Sequence, residues 1–549
     1  MVAASVVDGY DITTTIFAQN EGLARFKTST DNPINIFAYD LRYEKKSETT
    51  HQFSFILNEN ATNVEIQFLK DNVVIGSKVV GALAKGAQTV DLVVADLPNE
   101  DGMTFAVKAT APSPIRVSKF SDPANPATQF YNSYGLAIDN NTENSTFARL
   151  YISNAKAGTC EGGRYTGTGI YISDPLLGDP TAQGNTVYAG GITWAASNSP
   201  YRISVAEDGR LFIADWSDTH SGVYIMNANN PSANFKTLFE GCTRAASGLL
   251  TNASNVPVGG SSPCLWVKGK GENTQLYVFD EDYVAPGGKA NSVLRYDLGT
   301  AEIWQVAPSA VVFDNGAKGN LLQNGNSRII PDTMGGWWIS QYRATDAPAI
   351  PALIHVNAAG DVDFNSGAID PTMIGNSRNG AIAINLEHNM IAVSGQGEIK
   401  VFALTYNASG VPSLNKLYTF ATGNGNNTND VAFDYAGNLY SVSNSGERVV
   451  AFSLPKADNT AITPAMSSIV INNKTVGVKN VAMDSQAVVY VRDNRLFVEA
   501  FEGESIELYT ITGVRLATRL ANEGVNVFEM TKGQVIIVKA GNRVAKVVM

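Results

Sequence analysis

The side chains with the widest chemical reach in this sequence are few. Four histidines, His51, His220, His355 and His388, are spread along 549 residues. Only His220 sits in a segment dense in other polar and aromatic groups, Asp215 to His220. A general base must reach its proton through a hydrogen bond and titrate near the working pH. His220, Tyr342 and Arg343 are therefore the one set that could supply a base, a phenol and a cation for proton abstraction. No Gly-x-Ser-x-Gly elbow, His-Glu-x-x-His pair, phosphate loop or haem motif occurs. The catalytic inventory is thin, and binding is the simpler expectation.

Binding chemistry is better represented. Arg202, Arg328 and Arg378 stand just before or at the start of apolar runs, as do Tyr134, Asn379, Asn429 and Asp430. Guanidinium groups converging on one place would suit a carboxylate or sulfate, because they are permanently charged and bond in a bidentate fork. An acidic glycan fits that description; equally, each arginine could pair with a neighbouring aspartate or carbonyl. Trp216, Tyr283 and Tyr342 lie in loops where amphipathic rings could stack on sugar faces, or could anchor the loops themselves. The expected ligand-binding set is Arg202, Trp216, His220, Tyr283, Arg328, Tyr342, Arg343, Arg378 and Asp430. Asp215 with Asp218, and Asp280 with Asp282, could hold a hard cation such as calcium through oxygen ligands. Their spacing matches neither an EF-hand nor a Gly-Gly-x-Gly-x-Asp array, so calcium stays an option without an assigned site, and no other cofactor is expected.

Composition narrows the classes. The net charge of −11 repels phosphate backbones, which argues against nucleic acid as a partner. With 44% hydrophobic and 17% charged residues, 49 Gly and 21 Pro, the chain reads as folded and loop-rich rather than disordered. No apolar run approaches the roughly 20 residues of a membrane helix. No charged-then-apolar leader precedes Val2, so a mature chain behind a starter Met1 is expected. Cys160, Cys242 and Cys264 have no Cys-x-x-Cys spacing, which argues against zinc; if a disulfide forms, Cys242 with Cys264 is the expected pair.

The elements that must position these groups are strands. Helical periodicity is almost absent, and short β-rich runs such as Val64 to Phe68 and Leu211 to Ala214 are bounded by Gly, Asn, Asp and Pro. Residues 1–118 alternate as a small sandwich would, with runs at 53–57, 64–70, 89–94 and 103–109. Residues 119–480 repeat a unit of two apolar strands joined by an acidic or Gly turn. Ile203-Ser-Val-Ala-Glu-Asp-Gly-Arg-Leu-Phe-Ile-Ala-Asp215 and Val431-Ala-Phe-Asp-Tyr-Ala-Gly-Asn-Leu-Tyr-Ser-Val-Ser443 are its clearest copies. Looser copies begin at Gly135, Leu265, Ile329 and Ala381. About six units at a period of roughly 50 to 70 residues predict a six-bladed β-propeller. The ring is expected to close through the 120–130 stretch or a strand at 467–472. One of Trp337 and Trp338, on opposite sides of a strand, should pack between blades.

These units resemble the NHL and YWTD-like propellers, a likeness of architecture that carries no activity. Leu83 to Leu92 followed by Asp96 to Gly102 resembles the Ig-like module of Bacteroidetes exported proteins. The tail, residues 486–549, contains Leu508-Tyr-Thr-Ile-Thr-Gly513, Lys532-Gly533 and a final Lys546-Val-Val. It resembles the C-terminal sorting domain of the type IX (Por) secretion system, with Val535 where that family has an aromatic residue. The resemblance implies a small β-sandwich, the type IX machinery as a partner, and a secreted or outer-membrane surface location. Asp332-Thr333-Met334 also resembles the O-glycosylation acceptor of that phylum.

The expected whole is all-β: an Ig-like sandwich, a propeller and a sorting-domain-like sandwich. The expected role is non-catalytic binding or adhesion, in which the propeller face recognises a surface glycan or protein. The alternatives are a propeller lyase or hydrolase on an acidic glycan, and a structural surface-layer component.

Overall fold

The computed structural model describes residues 2–7, 13–18, 32–100, 102–180, 194, 198–217, 219, 222–229, 235–377, 380–423, 427–446, 448–469, 489–492, 495–500, 502–522, 524–530, 533–541 and 543–548. The chain divides into two compact units, Met1–Ile471 and Asn472–Met549. Both are built from antiparallel strands.

Six small sheets make up the larger part of the first unit. Their first strands are Ser133–Ile138, Ile203–Val205, Cys264–Lys268, Arg328–Pro331, Ile382–Asn385 and Asp430–Phe433. Each of these contacts the next, and Asp430–Phe433 contacts Ser133–Ile138, so the six line one axis in a propeller-like ring. We number these ring sheets 1 to 6 in chain order. Six apolar clusters fill the six gaps between neighbouring sheets; Leu136, Ile152 and Tyr171 against Tyr440, Val442 and Ala451 join sheet 1 to sheet 6. Because both faces of a ring strand are covered, its sequence runs apolar without alternation, as in the wholly buried Leu211–Ala214. The repeats recognised in the sequence fall on the first two strands of each sheet. Gly209 and Gly437 take φ of +82° and +90° at the hairpins between those strands, a backbone region that glycine enters without steric cost.

Several expectations are corrected here. The outermost strand of sheet 6 is Ser118–Lys119, which pairs with Phe452 and Ser453, and Phe120 N–H donates to Ala451 O at 2.9 Å. Ring closure therefore begins just ahead of the 120–130 stretch and runs into it, since Phe120 and Gln129 also pair with this strand, whereas the alternative strand at 467–472 takes no part among its described residues. Ile469 instead bridges to Met103, away from the ring. Trp337 and Trp338 are both buried, Trp337 between sheets 3 and 4 and Trp338 between sheets 4 and 5. A strand covered on both sides buries both of its alternating faces, so neither tryptophan is left over.

A two-sheet sandwich also belongs to this unit. One sheet is Ala38–Lys45, Thr50–Leu57 and Gly86–Val93; the other is Ala61–Lys70, Val73–Leu83, Thr104–Thr110 and Thr460–Pro464. Phe53, Phe68 and Phe105 meet edge to face at its centre, with centroids 5.0 to 6.0 Å apart. Thr460–Pro464 follows the ring in sequence yet pairs with Thr104–Thr110. The chain thus leaves the sandwich, circles the ring and returns to the same sheet.

The second unit is a smaller sandwich. Its sheets are Val489–Arg492, Arg495–Ala500 and Gly524–Glu529 against Ser505–Thr510, Arg515–Leu520, Val535–Ala540 and Arg543–Val548. Here one face of each sheet is exposed and the burial alternates, with Leu496, Val498, Ile506, Leu508, Ile536 and Val538 inside.

Candidate functional site

Ring sheets have two ends. One, the mouth face, carries the residues leading into each first strand and the loops joining second strands to third; the other carries the hairpins between first and second strands. Of the sequence-derived binding residues, Trp216, Tyr342 and Arg343 lie in loops of the mouth face.

Four aromatic rings run across it. Tyr134 and Tyr201 enter the first strands of sheets 1 and 2, Trp216 follows the second strand of sheet 2, and Tyr342 follows the second strand of sheet 4. Ring centroids are 4.6 Å apart for Tyr134 and Tyr201, 5.1 Å for Tyr201 and Trp216, and 6.4 Å for Trp216 and Tyr342. Tyr201 is buried beneath, and the other three are half-buried. Polar groups fix the run: Trp216 Nε1 donates to Glu281 Oε1, and Asn444 Nδ2 donates to Tyr134 OH at 3.0 Å. Burial raises the pKa of the Tyr134 and Tyr201 hydroxyls, so both stay neutral near pH 7. The exposed Arg343 guanidinium lies 4.7 Å from the Tyr342 ring centroid. Beside it, a recess of about 240 Å³ opens between sheets 4 and 5, lined by Arg343, Thr345, Asn376, Ser377 and Gln396.

The other predicted residues have different surroundings. Arg202 is buried, and its Nη2 donates to Asn429 O at 3.1 Å. Arg328 is buried with Nε 3.5 Å from Asp430 Oδ1. Asp430 also accepts from Leu136 N–H at 3.1 Å, so it ties together sheets 6, 4 and 1. These groups cross the axis below the aromatic run, and their charges serve contacts between sheets. Tyr283 packs at the edge of the core between sheets 2 and 3. His220, Asp218, Arg378 and Asn379 lie outside the described residues.

Of the aspartates considered for calcium, Asp215, Asp280 and Asp282 accept hydrogen bonds within their loops. Asp215 accepts from Ser217 N–H and Tyr224 OH; Asp280 accepts from the N–H groups of Gly260, Asp282 and Tyr283; Asp282 accepts from Ser261 N–H. Among the described residues no group of three His, Cys, Asp or Glu side chains is placed to hold a metal ion. The expected disulfide is also corrected: all three cysteines are free. Cys264 opens the first strand of sheet 3 at the axis, where its sulfur lies 3.3 Å from Ile329 N and 3.9 Å from Arg328 Nη1. Cys242 follows the outermost strand of sheet 2, Lys236–Thr237.

Two features escaped the sequence reading. His355, on the third strand of sheet 4, lies between two carboxylates, with Nε2 2.6 Å from Asp332 Oδ2 and Nδ1 2.5 Å from Asp363 Oδ1. In the sequence Asp332 stands out only as the first residue of the Asp332-Thr333-Met334 motif, whose Thr333 is exposed. Nothing in spacing brings together a hairpin residue and two residues of different strands; only the sheet register does. The second feature is a cavity of about 390 Å³ along the axis, lined by residues from all six first strands.

No protein-family model matches the chain, and no curated protein matches it. Solved structures with a similar course of chain include an auxiliary nutrient binding protein from Bacteroides thetaiotaomicron, at 10% identity and TM-score 0.37, over 76% of this chain and 98% of that one. PorZ, a surface component of the type-IX secretion system of Porphyromonas gingivalis, aligns at 11% identity and TM-score 0.29, over 90% and 73%. The PQQ domain of pyranose dehydrogenase from Coprinopsis cinerea aligns at 12% identity and TM-score 0.35, over 62% and 98%. Likenesses this distant carry no argument about ligand or chemistry. No helix among the described residues is long and apolar enough to cross a membrane.

Proposed function

We propose that this chain is an exported, non-catalytic binding protein whose six-bladed propeller holds a glycan on its mouth face. The observation that carries the reading is the run Tyr134, Tyr201, Trp216 and Tyr342, in which the half-buried rings of Tyr134, Trp216 and Tyr342, packed over buried Tyr201, offer flat apolar surface at little cost in ordering. Arg343 and the polar recess beside it supply hydrogen bonds at one end of the run. Among the described residues of the mouth face, recognition of an anionic group falls to the exposed Arg343, since Arg202 and Arg328 lie buried below that face. Sugar stacking therefore outweighs charge in this reading, and neutral or weakly acidic glycans are the favoured class.

The N-terminal sandwich, Ig-like in its two-layer form, serves as a spacer. The C-terminal sandwich acts as a type IX sorting address, which places the protein outside the cell or on the outer-membrane surface. A glycan array probed with the whole protein and with Trp216→Ala tests the binding role. Retention of a glycan signal by the parent and its loss in the variant are expected. Appearance of unsaturated uronate in an ultraviolet assay would replace this reading with that of a lyase.

A further inference from the structure

The axial cavity is a second pocket, separate from the aromatic run. It measures about 390 Å³, within the range of roughly 300 to 1,000 Å³ typical of small-molecule sites. Its walls include Ile138, Val205, Trp266, Ile330 and Ile384, contributed by five different sheets. Asp139, Glu207, Lys268 and Asp332 stand at the hairpin end. Arg328, the first residue of its strand, lines the deep end toward the mouth face.

Arg328 makes this more than an apolar gap. Its side chain is 4% exposed, yet among the described residues Nε has no hydrogen-bond partner, and the one bond its guanidinium donates runs from Nη1 to Cys264 Sγ at 3.9 Å. A buried guanidinium with donors unused is costly. Asp430, at 3.5 Å, offsets its charge without a close hydrogen bond. Arg328 is the one cationic group among the residues lining the deep end. The opening, by contrast, carries three carboxyl groups and one lysine, which disfavours entry of a dianion.

We propose that this cavity binds a single-charged carboxylate with an apolar chain, its head on Arg328 and its chain along Ile138, Ile330 and Ile384. The carboxylate would take the unused guanidinium donors, and the chain would cover apolar wall that water satisfies poorly.

Titration calorimetry of the whole protein with octanoate, octanol and octylamine tests this. Octanoate should bind at one site and change the fluorescence of Trp266. Octanol should bind about tenfold or more weakly, the loss expected for one charge-assisted hydrogen bond, and octylammonium should not bind. Ile384→Trp, which fills the cavity and leaves Arg328 in place, should abolish binding. Arg328→Lys should weaken octanoate and leave octanol unchanged; should that variant not fold, the filled cavity and the three head groups still decide. Absence of octanoate binding at millimolar concentration, equal binding of octylammonium, or an Ile384→Trp affinity within twofold of the parent would overturn the proposal.

Discussion

His355 Nε2 lies 2.6 Å from Asp332 Oδ2, in the interior of ring sheet 4. Burial alone would push the imidazole toward its neutral form, but hydrogen bonds and charge from Asp332 and Asp363 outweigh it and raise its pKa above the ordinary value. Burial would likewise raise Asp332, and the bond from His355 with two backbone N–H groups holds it below the usual carboxylate range instead. The histidine's contribution to stability is therefore complete below its unfolded pKa near 6.5 and is lost as pH rises through the raised folded value. The aspartate's contribution is present above its unfolded pKa near 3.9 and is lost as pH falls through the lowered folded value. Urea unfolding should show greatest benefit from this pair between about pH 4 and 6.5. His355→Asn should cost about 3 kcal/mol there and flatten the decline on the alkaline side. A variant whose stability falls with pH as steeply as the parent's would show that His355 is not the titrating group.

Asn438 predicts how strongly sandwich and ring depend on each other. It is buried at the hairpin of ring sheet 6, accepts from Asn35 N–H at 3.0 Å, and donates to Asn35 O at 2.9 Å and to Asp434 Oδ2 at 2.8 Å. Asn438→Ala should cost about 2 kcal/mol, since it strands buried groups on both sides. Asn438→Asp should cost more, because it loses both donated bonds and sets a second carboxyl beside Asp434, whose pKa burial already raises to about 6. Thermal unfolding with the order Asp below Ala below parent is expected. The reverse order would mean that the amide donors matter less than the side chain's volume.

How far the sequence disclosed all this follows from what is local and what is not. Ring strands such as Leu211–Ala214 were legible because apolar runs and Asp-Gly turns sit within a few residues of each other. The strand Thr460–Pro464 was read into the ring because its partner, Thr104–Thr110, lies far away in sequence and its own half-buried pattern resembles any edge strand. At the mouth face, Trp216 and Tyr342 could be named from loop position, but their approach to 6.4 Å depends on the curvature of the ring. The buried pairing of Arg328 with Asp430 was open as an alternative to ligand binding, and nothing local could decide between them.

Free thiols give a third prediction. Cys160 and Cys264 are buried, and Cys242 is partly so. Denatured protein should titrate three thiols with Ellman's reagent, whether or not it was first reduced, and reductant should leave the melting temperature unchanged. Native protein should react first at Cys242. A mass lower by two hydrogens in the unreduced protein would show a disulfide that this arrangement does not contain.

The closing strand supplies the last. Phe120 N–H donates to Ala451 O at 2.9 Å, and its ring meets Tyr440 edge to face at 5.8 Å, so one residue both extends the Ser118–Lys119 pairing and packs on sheet 6. Phe120→Pro removes the donor and the ring together, which should cost about 2 kcal/mol. Phe120→Leu keeps the donor and should cost less. Hydrogen exchange distinguishes a latch from a passive edge: if Ser118–Lys119 holds the ring shut, amides of Arg448–Ser453 should lose protection in Phe120→Pro, and those of ring sheet 3 should follow only when the whole ring opens. Unchanged protection of Arg448–Ser453 would mean that the apolar cluster between sheets 6 and 1, rather than the added strand, keeps the ring closed.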